Sequence, residues 1–115
     1  MDKITIYQKP TCSTCRRVYS VLKESGVDFD AVNYYVEPIS KAKLKGLLKK
    51  MAIPASELLR KKEQYKELSL DQKDLSDDQI VELMVKYPDL IQRPIVEKGS
   101  RAILARPAEK IKEIL

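Results

Sequence analysis

Residues 7–17, with the sequence YQKPTCSTCRR, set the architecture expected of this 115-residue chain. The apolar stretch at residues 4–7 predicts a short β-strand before them, and apolar residues at helical spacing follow them. Both cysteines of the chain, Cys12 and Cys15, therefore lie where a strand turns into a helix. The first turn of a helix carries unpaired backbone N–H groups and partial positive charge, which stabilise a thiolate and attract an oxyanion. We therefore expect a nucleophilic cysteine beside an anion-binding turn.

The pair of cysteines has other interpretations. A closed structural zinc site takes four ligands, and the chain has no histidine and no third cysteine, so we expect no metal. A structural disulfide that closes so small a loop would stabilise the fold little. Two chemically inert thiols stay an alternative, but a Cys-x-x-Cys pair between a strand and a helix favours redox or nucleophilic chemistry.

Length and composition indicate one domain, residues 1–115, whose 43% apolar content argues against disorder. We find no signal peptide and no apolar run long enough to cross a bilayer, so we expect a cytoplasmic protein without a membrane partner. In that compartment a Cys-x-x-Cys pair is more often catalytic than structural. The net charge of +5 by itself is compatible with nucleic-acid binding, with an anionic small substrate or with simple solubility. Because the tyrosines are scattered rather than interleaved with basic residues, we expect no direct nucleic-acid binding, and we expect a monomer.

The first part of the chain predicts a β-α-β unit, with strands at residues 3–7 and 29–34 around a helix at residues 13–25. Gly26 suits the left-handed turn that ends this helix. Two strands joined by one helix should be parallel, with a right-handed connection.

The middle of the chain predicts a helical insert at about residues 38–91. Ser76 and Gln79 form the pattern of a capping box at the start of one of its helices. The charged stretch at residues 62–75 is predicted to be irregular, with Tyr65, Leu68 and Leu70 as its apolar anchors. Helices are expected at residues 40–51, from Pro54 to about residue 61, and at residues 77–86.

The end of the chain predicts a β-hairpin, residues 93–97 and 101–104, with a glycine turn. A last helix, residues 108–115, should begin with Pro107 at its first position and bury Leu115. The order β-α-β, helical insert, β-β-α is a thioredoxin-like arrangement with its Cys-x-x-Cys pair after the first strand. We therefore predict an α/β fold whose mixed four-stranded sheet, in the order 2-1-3-4, is flanked by helices.

Five short motifs of this chain match those of a known protein family. The chain resembles the ArsC-type arsenate reductase family, which also includes the Spx transcription regulators. The matching motifs extend over nearly the whole length, and they are PTCSTCR at residues 10–16, ELLR at 57–60, YKEL at 65–68, RPIV at 93–96 and ARP at 105–107.

The resemblance implies a set of site residues. In reductases of this family a cysteine at the first turn attacks arsenate, and by motif position that residue is Cys12. Three arginines surround the oxyanion, and they correspond to Arg60, Arg93 and Arg106. The thioredoxin-like relatives place a cis-proline before the third strand, which implies a cis bond at Pro94. The family also implies an external thiol reductant (glutathione, glutaredoxin or thioredoxin), no bound cofactor, and a role in arsenical resistance.

Two positions depart from the best-known members. Those proteins carry a non-thiol residue at the position of Cys15, whereas Spx proteins and some thioredoxin-linked relatives have a second cysteine there. Cys15 is therefore expected to act as a resolving or regulatory thiol that can pair with Cys12. Some reductases also have a histidine near the position of Gln8, whereas this chain has no imidazole that could lower the pKa of its thiol.

Three functions stay open at this stage. The first is a thiol-dependent arsenate reductase, which the three arginines favour. The second is an Spx-like redox-sensing regulator that binds the RNA polymerase α-subunit. The third is a general thiol–disulfide oxidoreductase. From the residues alone, Arg60 could belong to a surface charge run, and Arg93 and Arg106 could be simple loop residues before prolines.

Overall fold

A mixed four-stranded sheet forms the centre of the first of two compact units in the computed structural model, which describes residues 3–115. This first unit comprises the described residues up to Glu37 together with the segment Arg93–Leu115. The second unit, Pro38–Gln92, spans the stretch for which the sequence predicts a helical insert. The prediction of one domain over residues 1–115 includes Met1 and Asp2, which lie outside the described residues, and it stays a prediction.

The strand order is β2-β1-β3-β4, as the sequence predicts. β1 pairs in parallel with β2, and it pairs antiparallel with β3, which in turn forms a hairpin with β4. Gly99 takes the left-handed conformation in the hairpin turn, at φ 59°. The strands are β1 (Ile4–Gln8), β2 (Phe29–Asn33), β3 (Ile95–Lys98) and β4 (Arg101–Leu104).

Helix α1 (Ser13–Glu24) contributes one apolar face to the core of the first unit. Its buried residues are Cys15, Val18 and Leu22, at the spacing of successive helical turns. Gly26 follows the helix with φ 75°, a conformation that glycine adopts without steric strain. The core around this face contains Ile4, Ile6, Val18, Leu22, Val96, Ala105, Ala108, Ile111 and Ile114.

The second unit is helical, and one prediction about it is wrong. The stretch at residues 62–75 is not irregular, because it contains a five-residue α-helix and a 3₁₀ turn at Leu70–Gln72. So short a helix shows no periodic pattern, which is why the sequence does not reveal it. Across residues 3–115 none of the helices combines the length and the apolar character that a membrane span needs. The helices are α2 (Lys41–Met51), α3 (Ala55–Leu58), α4 (Glu63–Glu67) and α5 (Asp77–Lys86).

The predicted C-terminal α-helix is also wrong. The segment Ala108–Glu113 is a 3₁₀ helix, and Pro107 lies at its N-cap rather than at its first position. Ile111 and Ile114 are buried three residues apart, which suits the three-residue turn of a 3₁₀ helix. Leu115 lies beyond this repeat and is 43% exposed instead of buried.

Candidate functional site

Cys12 is the N-cap residue of α1. Its backbone is extended (φ −80°, ψ 126°), and its Sγ atom accepts a hydrogen bond from the backbone N–H of Cys15 at 3.4 Å. The backbone N–H of Cys12 donates to the carbonyl oxygen of Lys9 at 2.9 Å. The loop before the helix and the first helical turn thus hold this sulfur at the positive end of the helix dipole.

The two thiols of the site have opposite properties. Both cysteines are reduced, with Cys12 partly exposed and Cys15 fully buried. Burial by itself would raise the pKa of Cys12, but hydrogen bonds from Cys15 and the guanidinium of Arg93 outweigh it and lower this pKa to about 7. Burial raises the pKa of Cys15 to about 12, and the hydrogen bond and charge of Cys12 add to the rise. At neutral pH a large fraction of Cys12 is therefore thiolate while Cys15 is a thiol.

Arg93 lies beside this thiolate. The residue is only 7% exposed, its guanidinium hydrogen-bonds to Cys12, and its Nη1 donates to the hydroxyl oxygen of Tyr35 at 3.2 Å. The peptide bond between Arg93 and Pro94 is cis, the isomer that the family resemblance implies. The buried cation and the thiolate therefore face each other in the first unit.

Arg106 is linked to Arg93 through the backbone. Its Nη1 donates to the carbonyl oxygen of Arg93 at 2.9 Å, and its side chain is otherwise exposed. The bond between Arg106 and Pro107 is a second cis peptide, which the sequence does not predict. The structure thus brings together four of the predicted site residues, namely Cys12, Cys15, Arg93 and Arg106.

Arg60 belongs to the second unit, where its backbone position is well defined. Its N–H donates to the carbonyl oxygen of Leu90 at 2.7 Å, next to an antiparallel bridge between Leu59 and Ile91. The Arg60 residue is half-buried. A role of Arg60 in oxyanion binding stays a prediction.

Tyr34 and Tyr35 both contact Arg93, and sequence reasoning assigned neither of them to the site. The sequence analysis places Cys12 directly after β1 but assigns nothing to the residues directly after β2. Since parallel strands end at the same edge of a sheet, the residue after β2 was a candidate neighbour of the cysteine turn. Strand parallelism was therefore the signal that could have identified Tyr35.

No grouping of three or more histidine, cysteine, aspartate or glutamate side chains suited to a metal ion occurs within residues 3–115. The donors gathered at the cysteine turn are instead guanidinium and backbone N–H groups, which bind anions.

The comparison with known proteins agrees with this geometry. The model of the ArsC family matches residues 7–114. The uncharacterized protein YfgD of Escherichia coli K12 is 40% identical over 115 residues, covering 98% of this chain and 97% of that protein. An arsenate reductase of Acidiphilium multivorum is 38% identical over 116 residues, covering 100% of this chain and 82% of the relative.

A comparison with solved structures also finds an arsenate reductase. The arsenate reductase from Vibrio cholerae superposes with a TM-score of 0.92 at 34% identity, over 99% of this chain and 98% of that chain. The match extends across the sheet, the cysteine turn and the helical insert. This chain therefore belongs to the ArsC family.

Proposed function

We propose that this chain reduces arsenate to arsenite, with the thiolate of Cys12 as the nucleophile. The observation that carries the proposal is the position of Sγ of Cys12, at the N-terminus of α1 and beside the buried guanidinium of Arg93. This arrangement supplies an ionised sulfur and an anion-binding environment at the same place. The arsenate reductases among the relatives support the same chemistry.

Arginines suit the binding step. Arsenate carries one or two negative charges near neutral pH, and a guanidinium grips two oxygens of such an anion with a planar fork. We assign this role to Arg93 and Arg106, and the family resemblance adds Arg60. An arginine has five N–H donors, and the bond from Arg106 to the carbonyl of Arg93 uses one of them.

The first chemical step forms a sulfur–arsenic bond. The thiolate of Cys12 attacks arsenic, and a hydroxyl of arsenate leaves as water after it takes up a proton. Arsenic stays pentavalent in this adduct. The guanidinium groups stabilise the charge as it moves from sulfur to the arsenic oxygens, which is an electrostatic role that needs little reorganisation.

The second step transfers the electrons. The thiolate of Cys15 attacks Sγ of Cys12, a disulfide forms, and the sulfur–arsenic bond breaks with its electron pair on arsenic. Arsenic then leaves as trivalent arsenite, which takes up the proton lost by Cys15. The thiolate of Cys12 contributes to the high pKa of Cys15, so adduct formation removes that contribution and activates Cys15 after the first step.

An external thiol must then regenerate the enzyme. We propose that glutathione, glutaredoxin or thioredoxin reduces the Cys12–Cys15 disulfide, and that attack falls on Cys12 because Cys15 is fully buried. A steady supply of reduced thiol fits the cytoplasmic location that the sequence suggests.

The proposal is tested by arsenate-dependent thiol oxidation with each reductant in turn. Cys12→Ser should abolish turnover, a loss of about 10³-fold or more, because no nucleophile remains. Cys15→Ser is the matched control, since it removes a thiol from the same turn. It should keep arsenic chemistry at Cys12 and change which reductant works.

Two outcomes would contradict the proposal. One is a wild-type chain that oxidises no reductant when arsenate is added. The other is a Cys12→Ser variant with unchanged turnover. Absence of turnover together with co-elution of the RNA polymerase α-subunit would favour the Spx-like regulator instead.

A second candidate function is general thiol–disulfide exchange. The observation in its favour is the contrast between a partly exposed thiol with a pKa of about 7 and a buried partner with a pKa of about 12. Reduction of a protein disulfide in the absence of arsenate would support this function, and arsenate would then act as a weak inhibitor rather than a substrate.

A further inference from the structure

Tyr35 occupies a position that the proposed chemistry does not yet use. Strands β1 and β2 are parallel, with Gln8 opposite Asn33 at their ends. Cys12 follows β1 and Tyr35 follows β2, so both lie at the same edge of the sheet. The fold therefore places a tyrosine next to the cysteine turn.

Several contacts hold the Tyr35 side chain in one place. Its ring lies 4.7 Å from Nζ of Lys9, close enough for a cation–π interaction. Its ring centroid is 5.1 Å from that of Tyr34. The backbone N–H of Tyr35 donates to Oδ1 of Asn33 at 3.0 Å. The hydroxyl group is thus a fixed acceptor rather than a mobile surface group.

The hydroxyl of Tyr35 accepts its hydrogen bond from Arg93, at 3.2 Å from Nη1. The same guanidinium bonds to Cys12, and the carbonyl of Arg93 accepts from Arg106. An arginine side chain has several rotatable bonds, so one contact with a sulfur leaves its orientation poorly defined. Hydrogen bonds to Tyr34 and to the hydroxyl of Tyr35 add further contacts and restrict the guanidinium.

We propose that Tyr35 is a positioning residue of the arsenate site, whose hydroxyl holds the guanidinium of Arg93 against Sγ of Cys12. Its part in catalysis rests on the proposed function, whereas its effect on the thiol does not. Tyr35 contacts neither the sulfur nor the substrate in this scheme, because it acts through Arg93.

Removal of the hydroxyl should therefore weaken two functions of Arg93 together. The thiolate of Cys12 loses part of its stabilisation, so the pKa of this thiol moves up toward its ordinary value. The proposed oxyanion ligand is also less well oriented, which raises KM for arsenate more than it lowers kcat.

The test is Tyr35→Phe, which keeps the ring and removes only the oxygen. In a Cys15→Ser background, the rate of alkylation of Cys12 is followed against pH. We expect a profile displaced to higher pH and a rate at pH 7 about 3-fold lower, because a hydrogen bond of this kind is worth a few-fold in an equilibrium. In the full chain, KM for arsenate should rise about 3- to 10-fold. Tyr19→Phe is the matched control, since that ring packs on Phe29 at 5.3 Å, and it should change neither quantity.

A double-variant experiment separates positioning from general packing. In an Arg93→Gln background, Tyr35→Phe should cause no further displacement of the alkylation profile, because the group it orients is gone. An additional displacement of similar size in that background would overturn the proposal. So would a Tyr35→Phe chain with the wild-type profile.

The role of Tyr35 can still be tested if the variant fails to fold or if the chain reduces no arsenate. If Tyr35→Phe fails to fold, Asn33→Ala loosens the tyrosine from its backbone side and should displace the profile in the same direction, and an unchanged profile would overturn the proposal. If the wild-type chain reduces no arsenate, the proposed function fails on its own, and the alkylation profile still decides the role of Tyr35.

Discussion

Helices α1 and α5 begin with the same kind of cap but with different chemistry. At α5, Ser76 accepts from the backbone N–H of Gln79 at 3.2 Å, and the Gln79 side chain accepts from the N–H of Ser76 at 2.9 Å. Asp77 and Asp78 then place negative charge in the first turn. At α1, a sulfur accepts one long bond of 3.4 Å, and the helix begins with the sequence STCRR.

The difference shows what each terminus is adapted for. The α5 cap satisfies its own donors with side chains of the same segment, which stabilises the helix. The α1 cap leaves its positive end to a thiolate, and the nearby Arg93 adds to that positive charge. The side chains at the α5 cap thus satisfy more of their own helix's terminal donors, and the capacity to bind an anion is greater at α1.

The largest expected effect comes from a change at the α1 cap, and it concerns the pH dependence of the free energy of unfolding. Cys12→Ser replaces the thiolate with a neutral cap, so the dependence of stability on pH should change. The pKa of Cys12 is about 7 in the folded chain and lower than in the unfolded chain, so the wild type gains stability as pH rises from about 7 toward 9 and loses it as pH falls through 7. We expect the difference in unfolding free energy between wild type and variant to change by about 1–2 kcal/mol over that window, since solvent screens a partly exposed group.

Denaturant unfolding of both chains at pH 6 and pH 9 measures this difference. The pKa of Cys15 depends on Cys12, so both chains are compared in a Cys15→Ser background, which removes the titration of Cys15. A difference that stays constant with pH would contradict the lowered pKa.

A change at the α5 cap is expected to have a smaller effect on the stability of the chain. Ser76→Ala removes the acceptor of the capping box and should destabilise the chain by about 1 kcal/mol. It should leave the pH profile of Cys12 alkylation unchanged, because this cap stabilises a helix and binds no ligand. Thermal unfolding together with alkylation checks both statements, and a displaced alkylation profile would show that the two termini are not independent in function.

The same contrast explains how much the sequence predicts. The α5 cap follows from Ser76 and Gln79 alone, because a capping box involves residues three positions apart. The strands themselves follow from periodic patterns and from the hairpin glycine. These features are local, so a single sequence contains them.

The features that the sequence misses depend on distant contacts. The bond from Arg93 to Tyr35 joins residues 58 positions apart, and no local pattern marks Tyr35. The 3₁₀ form of Ala108–Glu113 reflects the core that Ile111 and Ile114 enter, rather than helix propensity. The assignments of Cys12, Arg93 and Arg106 came from motif resemblance, and the structure adds the contacts between them.

The ionisation of Cys12 tests the central claim most directly. The difference in ultraviolet thiolate absorbance between Cys15→Ser and the Cys12→Ser/Cys15→Ser double variant, followed against pH, isolates this one sulfur. The account predicts a midpoint at about pH 7, produced by the α1 cap and Arg93. A midpoint near the ordinary thiol value of about 8.5 would contradict it, because the turn would then hold an unactivated cysteine.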